Sequence, residues 1–193
     1  MLSKEEVLKI FEKTGGVLHG HFRLTSGRHS DTYMQCAKLF IDTDASAELC
    51  SALAEKLEGI EADIVISPAV GGILMGYEMA RQLHLPNIFA ERENGDMTLR
   101  RGFCIEPGTK VIVCEDVVTT GGSVKEVIAL MKELGAEVVA VASIVDRSNG
   151  KVDFGTKFVN LISMDVVSYE PDECPICKQG LPLVKPGSRN FTK

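Results

Sequence analysis

Two adjacent carboxylates, Glu115 and Asp116, follow four apolar residues in the stretch VIVCEDVVTTGGSVKE (111–126) and lead into Thr119, Thr120, Gly121, Gly122 and Ser123. Neighbouring acids repel each other and resist leaving water, so they call for a partner. Ionised carboxylates only accept hydrogen bonds, and the vicinal hydroxyls of a ribose would satisfy both. The Thr/Gly/Ser turn offers free backbone N–H groups, two glycines that allow close approach, and hydroxyl donors, all before a helical pattern. Such a turn can cradle a phosphate. Taken singly, the acids fit a solvated strand end and the turn fits an ordinary helix cap. Joined in this order after a buried strand, they favour a sugar phosphate held at both ends. The chain has neither the GxxxxGK[ST] of a P-loop nor a GxGxxG.

The elements that would position this site follow from periodicity. Ser3 and Glu6 form a capping box ahead of an apolar stripe (Val7, Leu8, Ile10, Phe11) that ends at Gly15-Gly16, which predicts a first helix. A second amphipathic helix is expected over 43–57, with Ala47, Leu49, Leu53, Ala54 and Leu57 inward, then a short strand at 64–66. Gly71-Gly72 opens a helix to about Leu83. Strands follow at 86–90 and 110–114, a helix at 122–134 closed by Gly135, and a strand at 138–145. Alternating strands and helices predict an α/β fold with a central, mostly parallel sheet flanked by helices. Ligands then gather at the carboxyl ends of the strands, where 111–114 would deliver Glu115 and Asp116.

The 193 residues are 45% hydrophobic, enough for one domain or a domain with a small appendage. The terminus MLSKEEVLKI is charged where a signal peptide would be apolar, and no apolar run reaches membrane-spanning length, so a cytoplasmic protein is expected. A formal charge of −6 argues against broad nucleic-acid or membrane-surface binding. Six cysteines are scattered along the chain, and Cys50, Cys104 and Cys114 lie in or beside apolar stretches, as reduced buried thiols would.

The run VIVCEDVVTTGGS resembles the phosphoribosyl-pyrophosphate (PRPP) signature of the type I phosphoribosyltransferase family. Three further segments, HFRLTSGRHSDTYMQ (21–35), SPAVGGI (67–73) and SIVDR (143–147), are similar to its orotate-using branch. So are the loop around AERENGDMTLRRGF and the tail that ends CPICKQGLPLVKPGSR, both typical of the shorter bacterial members. The resemblance covers nearly the whole chain. It implies a 60–150 core that binds PRPP and a hood, formed by 1–40 and 156–193, that binds the base. It further implies transfer of phosphoribose from PRPP to orotate with Mg2+ in pyrimidine synthesis, by a homodimer whose loops serve the neighbouring site.

On that resemblance, Glu115 and Asp116 bind the ribose hydroxyls, and Val117, Val118, Thr119, Thr120, Gly121, Gly122 and Ser123 hold the 5'-phosphate. Ala69 to Gly72, Gly71 included, approach pyrophosphate, and Thr119 and Arg147 touch orotate, whose carboxylate suits the planar fork of an arginine. Arg92 would contact pyrophosphate from a neighbouring subunit. With Arg100, Arg101 and Asp116 it completes the candidate catalytic set. Taken without the family, Arg147 reads as a strand-end surface charge and 69–72 as a tight turn.

The polar segment 92–102 contains an Asn-Gly turn signal, so it reads as a hairpin or a mobile lid. It departs from many family members, which carry lysines and a histidine there; this chain offers Glu93 after the arginine and then only Arg100 and Arg101. Thr25 and Gly71 stand where many members have lysine. These departures imply weaker PRPP binding, compensation by Arg23, Arg28, Arg100 or Arg101, or a different acceptor base. A purine or xanthine phosphoribosyltransferase, or a PRPP-sensing regulator, would share the signature.

Mg2+ would ride on PRPP oxygens and water, so no protein metal ligand is assigned. His19, His21 and His29 read as solvated or hydrogen-bonded loop histidines. Cys174-Pro-Ile-Cys177 has zinc-knuckle spacing, but a tetrahedral site needs four ligands and no second CxxC or HxxxH follows. The pair therefore reads as a tail turn. The alternative is a zinc site completed by a distant cysteine, a histidine or a second subunit.

Overall fold

Helix α1 (Lys4–Thr14) starts where Ser3 accepts from the Glu6 N–H at 3.3 Å and Glu6 accepts from the Ser3 N–H at 2.8 Å, the reciprocal bonds of a capping box. Its apolar stripe buries Val7 and Phe11, and Gly15 ends it in the left-handed conformation. The fold was obtained as a computed structural model that describes residues 2–24, 26–165 and 167–186. Thr25 and the Gly-Ser-Arg of the tail motif lie outside these residues.

Strands β1 (Val17–Arg23) and β2 (His29–Met34) form an antiparallel hairpin, followed by a 3-10 turn (Cys36–Ile41) and helix α2 (Thr43–Glu55), whose N-terminus is capped by Asp42. Then come β3 (Ile64–Pro68), α3 (Gly72–Leu83), β4 (Asn87–Glu93), β5 (Asp96–Leu99), β6 (Lys110–Val118), α4 (Gly122–Glu133), β7 (Glu137–Asp146) and β8 (Lys157–Ser163). A four-residue helix, α5 (Pro175–Lys178), sits in the tail. The main sheet runs β5-β4-β3-β6-β7-β8, parallel except for edge strand β5.

Alternate residues of the central strands enter opposite faces, as the pleat requires. Ile112 and Cys114 of β6 pack with Leu49 and Leu53 of α2 and Met75 and Met79 of α3. Val111 and Val113 pack with Val124, Val127 and Met131 of α4. Both layers are buried, which explains why β3 and β6 read as continuous apolar runs.

Three expectations need correction. Strand β6 does not stop at Cys114 but stays paired to β7 through Val118↔Asp146, so Glu115 and Asp116 sit inside the strand. Residues 157–163 form β8 of the main sheet rather than part of the hood, and α1 packs into the main core through Val7 and Phe11. The appendage is therefore β1–β2 with the segment after Ser163. Cys104 is exposed, whereas Cys50 and Cys114 are buried.

Candidate active site

Parallel pairing of β3 with β6 (Ile66↔Val113) brings the turn after Pro68 level with Asp116. A side chain added at Gly71 would meet the Asp116 carboxylate at 3.5 Å, and one at Gly72 would meet Glu115 Oε1 at 3.2 Å. The loop 69–72 thus lies directly over the acid pair. Its Ala69–Val70 peptide bond is cis, and Ala69 N–H donates to Ala90 O at 2.7 Å. Glycine at 71 leaves room beside the carboxylate where a longer side chain would crowd it.

Burial pushes the Asp116 carboxyl above its ordinary value, against hydrogen bonds from its neighbours Val117 and Glu115. The Val117 N–H donates to Asp116 Oδ1 at 2.8 Å. Two carboxyl groups kept in contact and partly desolvated form a strong acceptor site for hydroxyl donors or a cation.

After Val118, Thr119 and Thr120 are exposed, and Gly121 turns the chain into α4 with φ 71°. Space as well as conformation demands glycine there: an added Cβ would lie 2.8 Å from Val152 Cγ1 and 2.9 Å from Phe154 Cε1. The turn leaves the first N–H groups of α4 without intrahelical partners, the arrangement that binds phosphate at a helix N-terminus.

Register places the base-contact candidates together as well. Val118 pairs with Asp146, so Thr119 and Arg147 leave the two strands side by side, and Arg147 N–H donates to Val118 O at 2.7 Å. Arg147 is not the surface charge that its position alone suggests. Its Nε is buried with no hydrogen-bond partner among the described residues, and burial lowers the pKa of its guanidinium, which stays charged at neutral pH. Tyr33 and Cys36 feel both Asp116 and Arg147 electrostatically, so the end of β2 closes this side of the crevice. Burial raises both of their pKa values. Tyr33 carries no spacing signal of its own, because no spacing rule reveals that the end of β2 comes near Arg147.

The loop cations are placed differently. Segment 92–102 starts as a hairpin in which Glu93 pairs with Asp96 around Asn94-Gly95. Arg92 donates to Gly95 O at 2.9 Å and pairs with Glu126 of α4 at 2.5 Å. Arg100 reaches Glu91 and Glu93, while Arg101 pairs with Glu91 at 2.9 Å and lies over the Phe89 ring. Within one chain these three arginines meet carboxylates of their own hairpin and α4. Arg28 donates to Ser168 and pairs with Glu170, which ties it to the tail.

His19 is exposed, but His21 and His29 are buried strand residues rather than loop histidines. They meet the cysteine pair of the tail and take no part in the crevice. A depression of about 450 Å3 lined by Glu61, Asp63, Leu85 and Lys110 opens at the amino ends of the strands, opposite the acid pair.

Comparison with known proteins agrees with this geometry. The profile described as phosphoribosyl transferase domain matches residues 41–172. A protein of Caldanaerobacter subterraneus named orotate phosphoribosyltransferase is 56% identical over 190 residues, covering 98% of this chain and all of the relative. One of the same name from Thermotoga maritima is 54% identical over 96% of this chain and 99% of its own. The crystal structure of orotate phosphoribosyltransferase from Aeropyrum pernix superposes with a TM-score of 0.68 at 26% identity, covering 82% of this chain and 93% of that one. Matched over most of its length by the family model and over nearly all of it by these relatives, the chain belongs to the phosphoribosyltransferase family, in its orotate phosphoribosyltransferase branch.

Proposed function

We infer that this chain transfers the 5-phosphoribosyl group of PRPP to orotate, giving orotidine 5'-monophosphate and pyrophosphate in pyrimidine biosynthesis. The observation that carries the reading is that loop 69–72 lies over a pair of carboxylates in a strand that leads straight into the 119–123 turn, while the neighbouring strand ends in a guanidinium whose Nε is buried without a partner among the described residues. Glu115 and Asp116 take the ribose hydroxyls. Residues 117–123 hold the 5'-phosphate, and Gly71 lets the 69–72 backbone reach pyrophosphate. Arg147, with Thr119, holds the orotate carboxylate.

Departure of pyrophosphate leaves an oxocarbenium-like sugar, so the site works by orienting both reactants, neutralising the leaving group and excluding water. The acid pair keeps negative charge close to the developing cation. No covalent nucleophile is needed. Hard carboxylate oxygens next to the space at Gly71 suit Mg2+, which would arrive with PRPP and neutralise its pyrophosphate oxygens.

The protein acts as a cytoplasmic homodimer on this reading. Val70, just before α3, and Leu74 and Tyr77 on α3 are exposed, 82% and 63% for Val70 and Tyr77, and Ile41 is exposed as well. A second copy covering this patch would bring its β4–β5 hairpin toward the crevice. Arg92, Arg100 and Arg101 would then exchange carboxylate partners for pyrophosphate. The test is loss of orotate absorbance with PRPP and Mg2+, with adenine, guanine, xanthine and uracil as parallel acceptors. Turnover of orotate alone supports the reading; turnover of another base while orotate stays inert overturns the role of Arg147.

A further inference from the structure

The cysteine pair of the tail and two histidines of the β1–β2 hairpin, 145 or more residues apart in sequence, meet at one point, with His21, His29 and Cys174 buried and Cys177 at its exposed edge. Cys174 caps α5 and Cys177 follows one turn later, so both sulfurs face the hairpin. His21 Nε2 is 3.1 Å from His29 Nδ1, 3.6 Å from Cys174 Sγ and 3.5 Å from Cys177 Sγ. Cys177 Sγ is 3.3 Å from His29 Nδ1, and all four atoms lie within 4.8 Å of one another. Zinc bonded to nitrogen and sulfur at its usual lengths gives tetrahedral edges of about 3.3 Å between nitrogens and about 3.6 Å between nitrogen and sulfur. The four distances fall close to those edges.

Hydrogen bonding alone serves this cluster poorly. His21 Nδ1 lies 2.8 Å from Leu181 O, a bond that places the ring proton on Nδ1 and leaves a single lone pair on Nε2. Three potential donors crowd that one lone pair. A cation at the centre would satisfy all four groups at once. The Leu181 carbonyl is also the kind of outer partner that orients a metal-bound histidine. Two thiolates balance a divalent ion, so the buried centre would carry no net charge, and the S2N2 donor set selects zinc over the hard cation of the reaction.

We propose that His21, His29, Cys174 and Cys177 form a structural Zn2+ site that fastens the tail to the β1–β2 hairpin. Four protein ligands leave no open position, so the ion does no chemistry on substrate. It locks the same junction where His29 and Tyr169 exchange backbone hydrogen bonds and Val184 bonds to His21 and Arg23. The Cys-Pro-Ile-Cys start of the tail motif thereby gains a purpose separate from PRPP and orotate.

Untagged protein, purified in a non-chelating reductant, is expected to carry about one zinc per chain by plasma mass spectrometry. After acid removal of zinc, Co2+ should restore occupancy with the visible ligand-field bands and the sulfur charge-transfer band of a tetrahedral thiolate site. Cys177→Ser, at an exposed residue, should lose the metal while keeping its far-ultraviolet dichroism; metal-free wild type should lose amide protection in β1 and β2 and keep it in β3, β6 and β7. Wild-type protein that holds no zinc and takes up no Co2+ overturns the proposal. So does stoichiometric zinc that survives Cys174→Ser with Cys177→Ser, or a Cys174–Cys177 disulfide in protein extracted with its thiols blocked.

Discussion

The two halves of the crevice are built in opposite ways. On the proposed function, the phosphate and ribose half comes from two strand-to-helix turns, 69–72 and 119–123, each written in a few consecutive residues and aligned by the β3–β6 register. The base half joins Tyr33 at the end of β2, Arg147 after β7 and a hairpin held by the distant tail. On that reading, local motifs fix where the anion goes, and long-range packing decides which base is accepted.

The largest effect should come from the acid pair. Asp116→Asn is expected to lower kcat about 10²-fold by removing charge near the developing cation. The same change should raise stability by about 1 kcal/mol, roughly 2 to 4 °C in Tm. The direction follows from the raised pKa of Asp116. A carboxyl that titrates higher when folded contributes stability fully below its unfolded value of about 3.9, and loses that contribution as pH rises through the folded value. The advantage of the variant should thus be present at pH 7 and absent near pH 4; thermal melts at both pH values check it, and an equal advantage at both would remove burial as the cause.

Next in size is Arg147→Ala, which should reduce kcat/KM for orotate about 10- to 100-fold with PRPP affinity nearly unchanged. Arg147→Lys should recover little, because a single ammonium cannot replace the fork. Calorimetric titration with PRPP separates the two halves: a comparable loss of PRPP binding would merge them.

Gly121→Ala tests the phosphate half through space. A left-handed backbone and contacts under 3 Å with Val152 and Phe154 predict a destabilisation of about 2 to 3 kcal/mol in denaturant titrations, together with weaker PRPP binding. The smallest effect belongs to the hood. Arg28→Ala breaks exposed contacts with Ser168 and Glu170, which should cost under about 1 kcal/mol, yet it should raise KM for orotate a few-fold without touching that for PRPP.

The sequence-based reading succeeded where period and punctuation coincide. The α1 capping box, the Gly71-Gly72 opening of α3 and the alternation that makes the sheet parallel are local facts, and they appear as read. It cut β6 short because Glu115 and Asp116 look like the end of a buried strand, whereas pairing with β7 carries the strand on to Val118. Strands β1, β2 and β8 were not distinguished, since their pattern is half-exposed and their partners are fixed by the fold. The partner of Arg92, Glu126, and the meeting of His21 with Cys174 depend on tertiary approach that no spacing encodes.

Residues bonded across the hood lie 137 to 163 positions apart, as with Ser30 to Val167 and His21 to Val184. Closing so long a loop is costly before any contact repays it, so these bonds belong to the late stages of folding. During synthesis, β3 to β7 can leave the ribosome and assemble while the tail is still inside it. On the proposed function, a nascent chain would then be able to hold a sugar phosphate before it can choose a base, and selectivity for the acceptor is completed only when the tail that bonds to β1 and β2 is released.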